Sequence, residues 1–465
     1  MTNTVHPVST GHSVTRLKAA CGDVVHLPGT PEYDRGRTPW NVGVGQRPAA
    51  VATPVTVDQA IRVVRTAAAT GLRVTAQSTG HAASALAGHA LDDVVLVRTG
   101  GLRGVHVDPV RRVARVEAGA SWEDVVTAAA VHGLTAMHGS APDIGVVGYT
   151  LGGGLSWFAR QHGLAVESVL AVELVLADGE LVRADASQNT ELFWALRGGV
   201  AGNFGLVTTV ELELLNVPDA FAGMLLFDVA RAPEVLNTWA TWCRTAPEEI
   251  TTSFRVMRFP PIPELPPFLS GRAVVILDGV ALLDDDAASA ALAPLRDLGA
   301  EMDTFGRVPA AGLLRLHMDP EDPTPSVGRG AVVADLDAAA VESFLAAVGP
   351  GVETPVFMAE LRQLGGALAR TSETPGALTG IEGSHLCLLL SVTPTPEIAA
   401  ACDQALEGVL AGLAPHLGER LFLNFAERSV DPRLAFEPAA WDRLVAVRRE
   451  VDPTGLFLAN FAIEG

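Results

Sequence analysis

The chain has 465 residues, 48% of them hydrophobic, and a formal charge of −20 at pH 7. That length exceeds what one hydrophobic core normally organises, so two domains are expected, and the negative charge argues against nucleic acid or an anionic membrane surface as partner. The four cysteines, Cys21, Cys243, Cys387 and Cys402, form neither a C-x-x-C pair nor a zinc-ligand spacing, so neither a disulfide framework nor a metal site is expected.

The opening stretch, residues 1–17, has no apolar signal core and no basic start, and no segment reaches the uninterrupted apolar length of a membrane span, which reads as a cytoplasmic chain. Thr56 and Gln59 make a capping-box pattern, and the apolar spacing from Ala60 to Ala68 predicts a helix that stops at Gly71. A strand over 72–76 then delivers the turn Gln77-Ser78-Thr79-Gly80-His81-Ala82. β-like runs follow at 94–97, 104–108 and 112–117, and a second capped helix runs from Ser121 to Gly133. Residues 139–155, GSAPDIGVVGYTLGGGL, carry so little side-chain bulk that their amides can approach a pyrophosphate or a flat ring. The loop lacks both the Lys-Ser/Thr pair of a Walker loop and the G-x-G-x-x-G spacing of a Rossmann turn. Strands at 169–176 and 180–184 flank an Asp178-Gly179 turn, and a further strand over 206–215 follows the GGVAGNFGLV run.

From about residue 217 the texture changes. Strand-like runs at 224–229, 250–259, 272–283, 356–364 and 385–392 alternate with helices at 233–245, 284–298, 335–347 and 396–413. The alternation predicts one sheet backed by helices, and the proline-rich tract 259–268 reads as a rigid loop within it.

The ordered set of Gly-His turn, glycine-rich loop, GGVAGNFGLV, LFLNF at 421–425 and WDRLVAVRREVDPTGLFLAN at 441–460 resembles the FAD-linked oxidases of the vanillyl-alcohol oxidase class, and more closely their berberine-bridge-enzyme-like branch. The resemblance implies an α+β fold, with a two-lobed PCMH-type FAD-binding domain and an α+β substrate domain whose antiparallel sheet is backed by helices. The first would comprise residues 1–216 with 421–465 returning to it, the second 217–420. It implies FAD bound covalently through His81 only, because a second bond in the family uses a cysteine where this chain has Ala141. Gln77, Ser78, Thr79, Gly80, His81 and Ala82 would line one side of the cofactor, and Ala141, Gly145, Gly148, Tyr149, Thr150, Gly152, Gly153 and Gly154 the other. Asn203 and Val207 would touch the adenine half or the ring edge, and Asn424 the pyrimidine edge.

The family's tail-motif tyrosine is missing, since Leu423, Asn424 and Phe425 stand there. Glu360 and Arg362, which share a strand face at period two, are therefore the first catalytic candidates, with a buried structural ion pair as the plain alternative. His385 and Glu382 come second; His138, His317 and His416 receive no role. The resulting expectation is hydride transfer from a C–H beside oxygen or nitrogen of an alcohol, sugar or natural-product scaffold to the flavin, with molecular oxygen giving hydrogen peroxide. Two alternatives stay open: structural FAD beside a non-redox cyclisation, and a non-catalytic small-molecule binding protein.

Overall fold

The computed structural model describes residues 10–464 apart from Thr371 and Glu373; the first nine residues of the opening stretch lie outside the described residues. Among the described residues no helix is long and apolar enough to cross a membrane. Seventeen strands of the described residues fall into three sheets in strict chain order. The first holds β1 (Val25–His26), β2 (Ala50–Ala52), β3 (Arg73–Gln77) and β4 (Val94–Arg98) in the order β1-β2-β4-β3. β4 is parallel to both of its neighbours. The crossover helix Val57–Thr70 covers this sheet as its sequence predicts. Thr56 accepts the Gln59 amide at 3.3 Å, Ala60, Val63, Val64 and Ala67 face the core, and Gly71 ends the helix at φ 71°.

The second sheet is antiparallel throughout: β5 (Val105–Asp108), β6 (Val113–Glu117), β7 (Val169–Val175), β8 (Leu181–Asp185) and β9 (Leu206–Glu213), in the order β5-β6-β9-β7-β8. The C-terminal segment returns to the first sheet. Val74 donates to Leu456 O and accepts from Leu458 N, both at 2.8 Å, so the tail adds a short parallel strand beside β3.

The third sheet contains β10 (Asp219–Asp228), β11 (Ile250–Arg258), β12 (Ala273–Ala281), β13 (Met302–Asp303), β14 (Gly306–Pro309), β15 (Ser326–Val333), β16 (Met358–Gln363) and β17 (His385–Val392). Its order is β13-β10-β12-β11-β16-β17-β15, with β14 also on β10, and every pairing is antiparallel. Alternation divides its side chains cleanly. Phe254, Val256, Val275, Leu277, Ala359, Leu361 and Leu389 pack under helices Ala232–Cys243, Asp285–Arg296, Ala338–Val348 and Pro396–Leu413. The intervening residues, among them Arg255, Asp278, Glu360 and Arg362, face the first two sheets.

Several elements escape the sequence reading, among them helices Thr10–Cys21, Thr190–Leu196 and Pro438–Val451 and the three that follow. Edge strand β15 carries Gly328 and Gly330, which weaken a strand pattern. Both are required, because a Cβ on Gly330 would enter the Phe425 backbone and one on Gly328 would meet Leu390 and Glu427. The glycine-rich loop contains a short helix, Val146–Leu151, and His81 opens a 3-10 segment, His81–Leu86, where a simple turn is expected.

Candidate functional site

Strand β3 ends at Gln77 and hands the chain to Ser78, Thr79 and Gly80, the last at φ 90°. A Cβ at Gly80 would come within 2.7 Å of Pro39 Cβ, so glycine is needed both for the backbone and for the space. This bend presents the His81 ring, one quarter exposed, between three neighbours. Its Nδ1 lies 2.7 Å from Thr79 Oγ1, its Nε2 3.5 Å from Asp143 Oδ2, and the Trp40 indole stacks on it with centroids 4.5 Å apart. Gln77 works behind the turn, exchanging hydrogen bonds with Gln46 at 2.6 and 3.2 Å and accepting from Arg98. The Ala82 carbonyl accepts from Asn460 in the tail at 2.8 Å.

Two runs of backbone meet beside His81. The amides of Ser78, Thr79 and Gly80, and those of Ser140, Ala141, Asp143, Ile144 and Gly145, find no acceptor among the described residues. The runs touch, since a Cβ on Gly145 would lie 2.8 Å from Ser78 Oγ, and the hydroxyls of Ser78 and Thr150 are buried without partners. Buried donors without acceptors carry a desolvation cost unless a ligand satisfies them. A double row of free amides suits a pyrophosphate, so the residues present fit FAD along this side.

The glycines of the loop divide by role. A Cβ on Gly148 would meet nothing, whereas Gly152, Gly153 and Gly154 are already packed by protein. Their Cβ positions fall on Asn424 Oδ1, on Phe422 and Leu378, and on Tyr149 and Ala165 respectively. Gly152 and Gly153 thus accommodate the returning tail, and Asn424 Nδ2 donates to Tyr149 O at 2.8 Å across that contact. Asn203 is also tied to the tail. Its Nδ2 donates to Val200 O and Phe461 O, and its Oδ1 accepts from Arg448 and the Ile463 amide, which uses every side-chain polar atom. Val207 is buried in the core of the second sheet, in register with Leu174. Tyr149 packs its edge against Trp122, and burial of its unpartnered hydroxyl drives the pKa up.

Facing this loop, the large sheet carries a buried ionic cluster. Register sets Ser253 opposite both Asp278 and Arg362, and Arg255 opposite Glu360. Arg362 Nε donates to Glu360 Oε1 at 2.8 Å, and its guanidinium lies 5.7 Å from the Trp157 ring centre and 5.4 Å from that of Phe425. His317, on the connection into β15, joins the halves: Nδ1 is 2.8 Å from Asp278 Oδ2 and Nε2 3.4 Å from Glu360 Oε1. Arg255 pairs with Asp278, and Ser253 donates to the same carboxylate at 2.5 Å. Burial opposes ionisation of Glu360, but Arg362 and His317 outweigh it and hold the carboxyl well below the usual range. Burial and Arg255 oppose charge on His317, yet Asp278 and Glu360 raise it to about 9. Glu360 Oε2 remains buried and without a hydrogen-bond partner among the described residues, an acceptor left open to a ligand.

Sequence reasoning finds Glu360 and Arg362 but passes over His317, Asp278 and Arg255. The available signal was charge inside apolar strands, as in Asp278 of AVVILDGVA. His385 does not join the cluster. It registers opposite Gln363, one residue out of phase with Glu360 and Arg362, so its ring enters the helix-covered face against Trp239, centroids 5.0 Å apart. Burial lowers its pKa to about 3. The assignment of His385 as second candidate base is therefore corrected: a one-residue phase difference puts the thickness of the sheet between it and Glu360. Glu382, in the loop before β17, is largely exposed.

Residues 48–185 match the FAD binding domain family. The chain is 34% identical over 188 residues to the xylooligosaccharide oxidase of Thermothelomyces thermophilus, covering 40% of this chain but only 38% of that one. It is 27% identical over 458 residues to the (R)-6-hydroxynicotine oxidase of Paenarthrobacter nicotinovorans, 95% of this chain and 96% of that one. The solved BBE-like 1 structure of Physcomitrella patens superposes with a TM-score of 0.84 at 21% identity, covering 97% and 99% of the two chains. The FAD-domain match takes in the free amides and His81, while the full-length likeness extends through the large sheet and the returning tail. Residues 48–185 are an FAD binding domain, and the whole chain shares its fold with the solved BBE-like structure.

Proposed function

We propose that this protein is an FAD-linked oxidase that oxidises a carbon bearing a hydroxyl or amine on a small organic molecule. The observation that carries the reading is the pairing of a free-amide cradle ending in His81 with the Glu360–Arg362 pair on the facing sheet, whose Oε2 has no partner. Bound FAD supplies the two-electron acceptor: hydride leaves the substrate C–H, the proton leaves its O–H or N–H, and molecular oxygen finally takes two electrons and two protons to become hydrogen peroxide.

In this reading Ser78–Gly80 and Ser140–Gly145 hold the pyrophosphate, and His81 is the sole covalent attachment, with Trp40 fixing its ring. Ala141 offers no thiol for a second bond. Glu360 Oε2 accepts the substrate hydroxyl proton. A carboxylate held ionised by Arg362 and His317 is a weak base, but the substrate hydroxyl becomes strongly acidic as hydride departs, so such an acceptor can take its proton in the same transition state. Residues 1–216 with 421–465 would form the cofactor domain and 217–420 the substrate domain, a division supported by the break between the second and third sheets and by the tail strand on Val74.

Anaerobic mixing with oxidisable alcohols should bleach the flavin, and admitting oxygen should restore its colour with stoichiometric peroxide. Turnover of a substrate without bleaching would instead mark the FAD as structural.

A further inference from the structure

Resting on the role proposed for Glu360, we infer that Asp319 is a positioning residue: through Ser140 and His317 it ties the amide loop that would hold the pyrophosphate to the histidine beside the proton acceptor. The tie runs through one short segment. His317, Met318 and Asp319 lie on the connection from the 3-10 turn Ala310–Arg315 into β15. His317 is 2% exposed inside the ionic cluster, Met318 is 49% exposed, and Asp319 accepts a hydrogen bond from Ser140 Oγ at 2.8 Å. Met318 takes a φ of 56°, a left-handed conformation that a residue with a side chain adopts at a cost. Such strain persists where the flanking contacts over-determine it, and here His317 and Asp319 are those contacts.

The same connection grips the amide loop at two points. Arg315 pairs with Glu123 at 2.8 Å, and the Glu123 and Trp122 amides donate to Pro142 O and Ile144 O at 2.9 and 3.0 Å. Those bonds turn carbonyls of the loop toward helix Trp122–Ala130 and leave the amides of Asp143, Ile144 and Gly145 without acceptors. Asp319 takes the other end of the loop at Ser140, whose hydroxyl is thereby spent while its amide stays free. A connection that belongs to the large sheet therefore fixes the run of donors on which a diphosphate would sit.

Asp319 also completes the charge of the cluster. Arg255, His317 and Arg362 are three cations against two carboxylates, Asp278 and Glu360, with Ser253 and the Trp157 ring as uncharged neighbours. Asp319 is a third carboxylate, close enough to favour the charged forms of both His317 and Arg362. Burial and Arg255 oppose a charged imidazole, and Arg362 Nη2 lies 3.3 Å from its Nε2, but Asp278, Glu360 and Asp319 outweigh them. His317 in turn is one of the two cations that keep Glu360 ionised, so the placement of Asp319 reaches the acceptor through the imidazole. Ser140 sets that placement, because half-buried Asp319 has no other hydrogen-bond partner among the described residues.

The test reads the imidazole and the cofactor separately and needs no substrate. In flavin-loaded protein carrying ring-labelled histidine, the His317 resonance, assigned by its absence from His317→Gln, is titrated from pH 6 to 10 in wild type, Asp319→Asn and Ser140→Ala. Asp319→Asn keeps an acceptor for Ser140 and loses the charge, whereas Ser140→Ala keeps the charge and loses its anchor. Each should weaken proton binding by His317 roughly five- to tenfold. FAD affinity is then measured in the His81→Ala background, where the flavin is not held covalently. There Ser140→Ala should weaken FAD about fivefold and Asp319→Asn by less than twofold. A His317 titration unchanged in Asp319→Asn would overturn the inference. A shift in Asp319→Asn alone would show a charge effect with no tie to the loop and would overturn it too, as would unchanged FAD affinity in Ser140→Ala. Neither readout uses turnover, so loss of the oxidase reading through turnover without bleaching is seen independently of both.

Discussion

Glu360 and His385 lie on neighbouring strands of one sheet and point to opposite faces of it. Glu360 is in register with Leu388 and His385 with Gln363, so the two side chains are one residue out of phase and only Glu360 joins the face that carries Arg362 and His317. The pair of candidate bases is thereby reduced to one by strand parity.

Glu360→Gln keeps the shape of the site and removes its proton acceptor. Anaerobic flavin reduction should slow by about 10²–10⁴-fold, the range for loss of a general base, with flavin still attached. His385→Gln should reduce within a few-fold of wild type. Because Glu360 is held below the ordinary carboxylate range by Arg362 and His317, the wild-type reduction rate should stay level as pH falls through about 6 to 5, where a histidine base would fail. Full-rate reduction by Glu360→Gln would reduce the residue to half of a structural ion pair.

His317 sits between Asp278 and Glu360 and its folded pKa is raised from 6.5 to about 9. A raised pKa means protons bind the folded state more tightly, so this contribution to stability is complete below about pH 6.5 and disappears as pH rises through about 9. On the order of 3 kcal/mol is involved. Urea midpoints measured from pH 6 to 9.5 should fall across that window in wild type, and the part due to this group should vanish in His317→Gln. A variant with an unchanged pH slope would show that the imidazole is neutral in the folded protein.

His81 is the expected attachment point. Acid-precipitated wild type should remain yellow, His81→Ala should release its flavin to the supernatant, and peptide mass mapping should find one flavin peptide, containing His81. Flavin on a peptide containing Cys21, Cys243, Cys387 or Cys402 would contradict the single bond read from Ala141.

The glycines of the loop should respond unequally. Gly152→Ala drives a Cβ into Asn424 Oδ1 and threatens the Asn424–Tyr149 hydrogen bond, for a loss of roughly 1–3 kcal/mol. Gly148→Ala enters open space within a short helix and should leave thermal stability unchanged or slightly higher. Equal melting temperatures for the two variants would mean that the tail does not pack on the triple glycine.

Local patterns carried much of this protein. The caps at Thr56 and Ser121, the period-two alternation that sets Glu360 and Arg362 on one face, and the Gly-His turn ahead of a glycine-rich loop are short-range signals, and the structure forms each element where they stand. What the tertiary structure alone decided is relational. Gly152 and Gly153 read as cofactor contacts but make room for a tail about 270 residues later in the chain, and Asn203 is spent on the same tail. His317 looks like an isolated loop histidine until antiparallel pairing of β11, β12 and β16 brings Asp278 and Glu360 to its two ring nitrogens. Its neighbours come from strands 39 and 43 residues away, and no spacing rule along the chain encodes a contact that only sheet register creates.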